Sequence, residues 1–324
     1  MTPDFRIEVE GENITEIIRD RLISLMVTDQ ADTQSDRAEF ALDDRDSKFA
    51  LPRKGAILRV WLGYRETELL EMGKYTVDEI AHDGPPATLT VRAKGADMID
   101  TLKVKKTRSW HQVTVAQMIA EIAASHGLKA KVDDKLGAEL IAHIDQTTES
   151  DPHFLYRLAN DRDAVRKIQN GYLVFVSKAD SKTVSGQLLP VHEIFYTDLD
   201  KWSYNAQERG SYKSVVGYWQ DKANAVRVEV KAGAGDPVKP IRNDFPSESE
   251  AIRGVDAELR RINRGKATLN VDLSGRLEIG AQSKINVSFL KPEIDGLWLV
   301  NRVEHRYDGG GLTTKLETEI PTNL

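Results

Sequence analysis

The 324-residue sequence contains no cysteine. This excludes disulfides, iron–sulfur clusters and thiolate zinc sites, and it suits a chain made in a reducing cytoplasm. A basic excess is also missing: 45 Lys and Arg stand against 51 Asp and Glu, a formal net charge of -6. That balance argues against nucleic-acid recognition, which normally needs a basic face. No apolar run approaches the length that crosses a bilayer. The stretch MTPDFRIEVEGENITE lacks the basic start and apolar core of a cleaved signal. The expectation is a soluble protein with no membrane insertion.

What is present reads as three regions. Residues 1–102 are mainly short strands. RLISLMVTD is rich in apolar and β-branched residues, and AEFALDD places Ala38, Phe40 and Leu42 on one face at period two. A short helix is expected near Thr15–Asp20. Residues 103–203 change character. Val115, Met118, Ile119, Ile122 and Ala123 form a helical stripe, with Thr114 as N-cap and Gly127 at its end. From residue 204 to 324 strands return, interrupted by one helix. There Ser247 and Glu250 form a capping-box pair, Ala251, Ile252, Val255, Leu259 and Ile262 make the stripe, and Gly265 ends it.

Two distant segments share a pattern. Gly73, Tyr75, Val77, Asp78, Ile80 and His82 align with Gly296, Trp298, Val300, Asn301, Val303 and His305. Upstream, Gly55, Ala56 and Val60 align with Gly280, Ala281 and Ile285. In both copies the aromatic residue and the first valine share a strand face while the next apolar residue falls on the other. One phase break at the same place predicts a β-bulge in each strand. The resulting fold class is mainly β with an α+β middle region: two related antiparallel β-barrels flanking an inserted mixed α/β region.

The polar stretch DPHFLYRLANDRDAVRKIQNGYLVF is the one place where an active site suggests itself, through Asp151, His153 and Asp163. Each residue also has a structural use. Asp151 before Pro152 marks a helix start, with the carboxylate capping free N–H groups. Phe154, Leu155, Leu158 and Ala159 make the buried face and leave His153 in solvent. Asn170 and Gly171 turn a hairpin. Elsewhere, His82 and His305 occupy equivalent repeat positions, which favours a role in fold or interface. DDRDSK has Phe49 where a calcium loop needs Gly and Gly55 where it needs Glu. Gly233 and Gly235 lack a third glycine and a following helix, and Ser150 and Ser185 lie in no nucleophile-elbow context. The tryptophans read as core or interface anchors rather than a ligand cage. No catalytic, cofactor-binding or metal residue is assigned, and no cofactor is expected.

The stretch TESDPHFLYRLANDRDAVRKIQNGYLVF, with Glu149, Ser150 and Asp151 leading into the apolar pairs and then a hairpin, resembles the late control gene D proteins of contractile phage tails. It is also similar to the hub part of secretion-system spike proteins. LISLMVTDQADTQSDRAEFALDDRD, VTVAQMIAEIAASHGL and ELRRINRGKATLNVDLSGRLEIGAQSKINVSF extend the likeness over nearly the whole chain. Asp161, Arg162 and Asp163 depart from it, where relatives often carry small residues. The resemblance implies a non-enzymatic baseplate hub in the virion tail of a phage or phage-derived particle, assembled in the bacterial host cytoplasm. Its implied partners are two further copies of itself, as a homotrimer, together with the tail tube protein, the tail spike protein and other baseplate proteins. The alternative is a peptidoglycan hydrolase of a tail particle using Asp151, His153 and Asp163.

Overall fold

A computed structural model describes residues 1–31, 36–95, 104–169, 171–178, 189–206, 212–221 and 223–321. Asn170 and the polar connection 180–186 lie outside the described residues.

The fold is mostly β. Both ends of the chain contribute to one 13-stranded sheet. In the N-terminal half, Pro3–Val9, Ile57–Tyr64, Leu70–Asp83, Thr88–Gly95, Arg37–Asp43 and Leu22–Gln30 follow one another in space, all antiparallel. In the C-terminal half the order is Val191–Phe195, Lys284–Ser288, Gly296–Asp308, Gly311–Glu319, Ala267–Ser274 and Leu199–Ala206. Each half buries one alternating face: Leu25, Val27, Phe40, Leu58, Val60 and Val91 in the first, Leu269, Val271, Ile285, Val287, Val303 and Leu316 in the second. The first half curls so far that Phe5, at one end, meets Tyr307, beyond the other, with ring centroids 5.1 Å apart. This closure runs through side chains; no strand pairing among the described residues completes a barrel.

The repeat is present in three dimensions and reaches further than its sequence pattern. Register breaks fall at Asp78 and at Asn301, the predicted places. Two more fall at Ile23 and Asp200, in strands that the sequence pattern does not relate. Gly73 and Gly296 both adopt positive φ, +135° and +125°. The upstream alignment needs correcting. Leu58 pairs with Tyr75 and Val60 with Gly73, as Ile285 pairs with Trp298 and Val287 with Gly296. Val60 therefore matches Val287, and Ile285 matches Leu58. A slide of two residues preserves the buried face of a period-two strand, so the sequence pattern cannot detect it.

Three further expectations are corrected. Val191–Phe195 and Leu199–Ala206 pair into the C-terminal sheet, so that half begins before residue 204. Ser214–Asp221, Val226–Gly233 and Val238–Pro240 form their own three-stranded sheet outside the barrel-like unit. Helix Glu248–Arg264 packs on it through Ala251 and Val255, while Ile252 is exposed and Arg264 is buried instead. A Cβ on Gly254 would lie 2.3 Å from the Phe245 ring and one on Gly217 2.8 Å from it, which is why glycine stands at both contacts.

The inserted region has a separate core of Met118, Ile119, Ile122, Phe154, Leu155, Leu158 and Phe175. Helix Val115–Ser125 opens with a reciprocal cap: Thr114 Oγ1 accepts from Gln117 N, and Gln117 Oε1 accepts from Thr114 N. Helix Asp151–Asn160 packs beside it. Ala164–Gln169 and Tyr172–Ser177 form the expected hairpin, with Gly171 at φ +77°.

Candidate functional site

The residues singled out by the sequence do not converge. Asp151 is fully buried and lies in the first turn of helix Asp151–Asn160, with Ser150 at the N-cap. Its carboxylate is not a cap. It accepts from Lys106 Nζ at 2.6 Å, Arg108 Nη2 at 2.7 Å and Gln146 Nε2 at 2.8 Å, and meets His126 Nε2 at 2.7 Å. Burial pushes the Asp151 carboxyl up, but these hydrogen bonds and the Arg108 charge outweigh it and hold it below the usual carboxylate range. His153 is exposed and bonded to Glu149. Asp163, beyond the far end of the helix, faces Arg260 and Arg264. The carboxylates at 151 and 163 are saturated by cations, the reverse of a poised acid–base pair.

Asp163 belongs to an arrangement that the sequence reading missed. Strand Ala164–Gln169 ties the inserted region to both halves with charges of opposite sign. At its start, Asp163 accepts from Arg264 Nη1 at 2.7 Å and Arg260 Nε at 3.1 Å, and Arg264 Nε reaches Glu319 at 3.1 Å. That joins the inserted region to the long helix and to the last strand of the C-terminal half. Within the strand, Lys167 bonds Asp29 and lies 3.1 Å from Asp36, both in the N-terminal half. Asp29 also accepts from Ala281 N at 2.8 Å, so this cluster touches the C-terminal half as well. Burial raises the Asp29 carboxyl, yet Lys167 and the Ala281 N–H pull it below its ordinary value. Asp36 goes the other way, pushed up to about 6 by burial and the neighbouring Asp29 charge against the pull of Lys167. Lys167 and Asp29 are 138 residues apart, and no linear spacing connects them. The available signal was slight: Asp29 is the one charge in Leu22–Gln30, and Lys167 sits beside Arg166 in Ala164–Gln169.

The two repeat histidines diverge. His82 Nε2 bonds Asp44 at 3.0 Å near the surface. His305 is buried against Thr314 Oγ1 at 2.9 Å, and burial drives it down to about 4. A cleft of about 850 Å³ opens between the inserted region and the Phe245 segment, lined by His143, Glu149, His153, Arg157, Phe245 and Arg253. Among the described residues no three His, Asp or Glu side chains are grouped to hold a metal ion. Trp298 is buried and donates to Ile294 O at 2.8 Å, and Trp110 is buried in the inserted core.

The outer face of the joined sheet is polar and internally paired. Arg92 bonds Glu39 and Glu79, Arg302 bonds Glu304 and Glu317, and Arg306 bonds Asp308. The sheet also leaves strand edges open. Leu199–Ala206 ends the path and pairs only with Ala267–Ser274 among the described residues. Such edges are where chains add to one another.

The family model described as phage tail baseplate hub (GPD) matches residues 71–310. The chain belongs to the phage tail baseplate hub family. It is 32% identical to the probable baseplate hub protein of Escherichia phage 186, over 99% of this chain and 93% of that one. This hub fold is also similar to the prophage MuSo2 43 kDa tail protein from Shewanella oneidensis, with TM-score 0.75 at 14% identity and 99% of each chain covered. A type VI secretion component of E. coli, c3393, matches at TM-score 0.57 and 12% identity, covering 99% of this chain and 77% of the other. These baseplate hub proteins are virion components, and the relatives are named for structural roles.

Proposed function

We propose that this hub acts as a ring-forming homotrimer in the tail baseplate, adapting a six-fold tail tube to a three-fold spike, with no catalytic step of its own. The duplication supports this most directly. Six strands of each half follow the same order, with matching bulges at Asp78 and Asn301 and at Ile23 and Asp200 and the same glycine conformation at Gly73 and Gly296, although the first strand of the six is antiparallel to its neighbour in one half and parallel in the other. Three copies carry six such units, so one object presents both symmetries. Ring closure then uses heterologous contacts, the C-terminal half of one copy against the N-terminal half of the next. The partners are the tube protein, the spike protein and other baseplate proteins, met in the particle after assembly in the host cytoplasm. The separation of Asp151, His153 and Asp163 favours this role over hydrolysis.

The test is native mass spectrometry of the purified chain together with imaging of tail particles. A trimer with six peripheral units is expected. A strict monomer at all concentrations, absent from tail particles, would overturn the proposal, as would peptidoglycan cleavage that is lost in His153→Ala.

A further inference from the structure

The chain already contains one joint between its two halves, and that joint specifies another. Leu22–Gln30 of the N-terminal half pairs antiparallel with the second part of Gly296–Asp308: Val303 with Asp29, Glu304 with Thr28, His305 with Val27, Arg306 with Met26. By the shared registers, Gly296–Asp308 corresponds to Leu70–Asp83, so that Val303, Glu304, His305 and Arg306 match Ile80, Ala81, His82 and Asp83. Leu22–Gln30 corresponds to Leu199–Ala206 in the same way. Leu22 and Leu199 both precede a bulge, and Ser24, Leu25, Met26, Val27 and Thr28 match Lys201, Trp202, Ser203, Tyr204 and Asn205.

Both corresponding edges are open. The pairing of Leu70–Asp83 with Ile57–Tyr64 stops at Thr76, and backbone bonds to Gly55 and Ala56 extend it only to Val77. Residues 79–83 therefore have no strand on that side among the described residues. Leu199–Ala206 lacks a second neighbour in the same sense. The two edges lie on different halves, on either side of the internal joint in the strand order, and they do not pair with each other among the described residues.

We propose that the subunit–subunit contact repeats the internal joint, so that Leu199–Ala206 of one copy adds antiparallel to residues 79–83 of the next. The register is Ile80 with Ala206, Ala81 with Asn205, His82 with Tyr204 and Asp83 with Ser203. This rests on the trimeric reading and gives it a residue-level contact. The physical reason is economy of geometry. A strand edge that pairs with one half in the required twist and bulge pattern fits the equivalent edge of the other half without new backbone shapes. It also removes two exposed edges that would otherwise template irregular aggregation. The sheet becomes continuous around the ring, with the ion-paired face of both halves on one side throughout.

The absence of cysteine makes the register directly testable. Directly opposed Cα atoms in antiparallel strands lie about 4.5–5.5 Å apart, within disulfide range. Ala81→Cys combined with Asn205→Cys is oxidised and run without reductant. Thr28→Cys with Glu304→Cys, the matching pair inside the chain, calibrates the rate. The expected result is an interchain ladder up to the trimer from the first pair, an intrachain link from the second, and no ladder from Ala81→Cys with Ser203→Cys. A trimer in solution that fails to link through Ala81 and Asn205, or that links equally through the shifted pair, overturns the register and leaves the hub reading standing. If the unsubstituted protein forms no trimer, the hub reading itself fails and takes this contact with it.

Discussion

His82 and His305 stand at the same point of two halves built on one plan, yet His82 is 39% exposed beside Asp44 and His305 is buried against Thr314. Gly73 and Gly296 share their backbone conformation, but a Cβ at Gly73 would press on Tyr75 while one at Gly296 would meet open space. Two pairs of bulges, the register of the matched strands and the glycine conformation are common to both copies, whereas the bulge at Met72 belongs to the N-terminal half alone and the packing has diverged. Shared backbone geometry would let strands from either half serve the same kind of joint, while side chains follow local surroundings. The ties to the inserted region show the same divergence. The N-terminal half is held by a lysine between two acids, the C-terminal half by an acid between two arginines.

Breaking those ties is expected to have the largest effect. Lys167→Met and Arg264→Met should each destabilise the protein by about 3–5 kcal/mol, because each takes the main cation from a buried or half-buried carboxylate. Lys167→Met should cost more: it leaves Asp29 and Asp36 facing one another, while Asp163 keeps Arg260 after Arg264 is lost. Denaturant unfolding of both variants checks the order, and equal losses would remove the distinction between the two clamps.

The histidines give a pH contrast. His305 is held at about 4 in the fold against an ordinary value near 6.5. A depressed value means that its stabilising contribution is complete above pH 6.5 and is lost as pH falls through 4. The difference amounts to about 3 kcal/mol across that window. In His305→Gln this part of the pH dependence of unfolding should vanish, whereas His82→Gln should change stability by no more than about 0.5 kcal/mol. A wild-type profile unchanged by His305→Gln would refute the burial argument.

A further contrast separates the glycines. Gly296→Ala should cost about 1–3 kcal/mol for its backbone conformation alone. Gly73→Ala should cost that and the displacement of Tyr75, whose hydroxyl donates to Met72 O at 2.8 Å. Thermal unfolding of the two single variants, side by side, measures the difference.

Much of this was legible in the sequence, for definable reasons. Period-two alternation located most of the sheet, and the phase break at Asp78 and Asn301 showed as bulges because a bulge shifts side-chain parity. Parity is also where the reading failed. A slide of two residues is invisible to it, hence the misplaced match of Val60 with Ile285. The strand Pro3–Val9 went unread although Phe5, Ile7 and Val9 alternate on its inner face. Asp151 was taken for a cap because Asp before Pro is a sound local signal; its cations come from Lys106 and Arg108, more than forty residues earlier. The Lys167 and Arg264 clusters were missed for the same reason. Long-range charge pairing has no period.

The internal joint between Leu22–Gln30 and Gly296–Asp308 has a further consequence for how such a ring would come together. In a ring of three copies, three of the six seams form within a chain as it folds and are indifferent to dilution. The other three obey mass action. Duplication thus turns the closure of a six-part ring into an encounter of three bodies. Lowering the protein concentration would open it only at alternate seams.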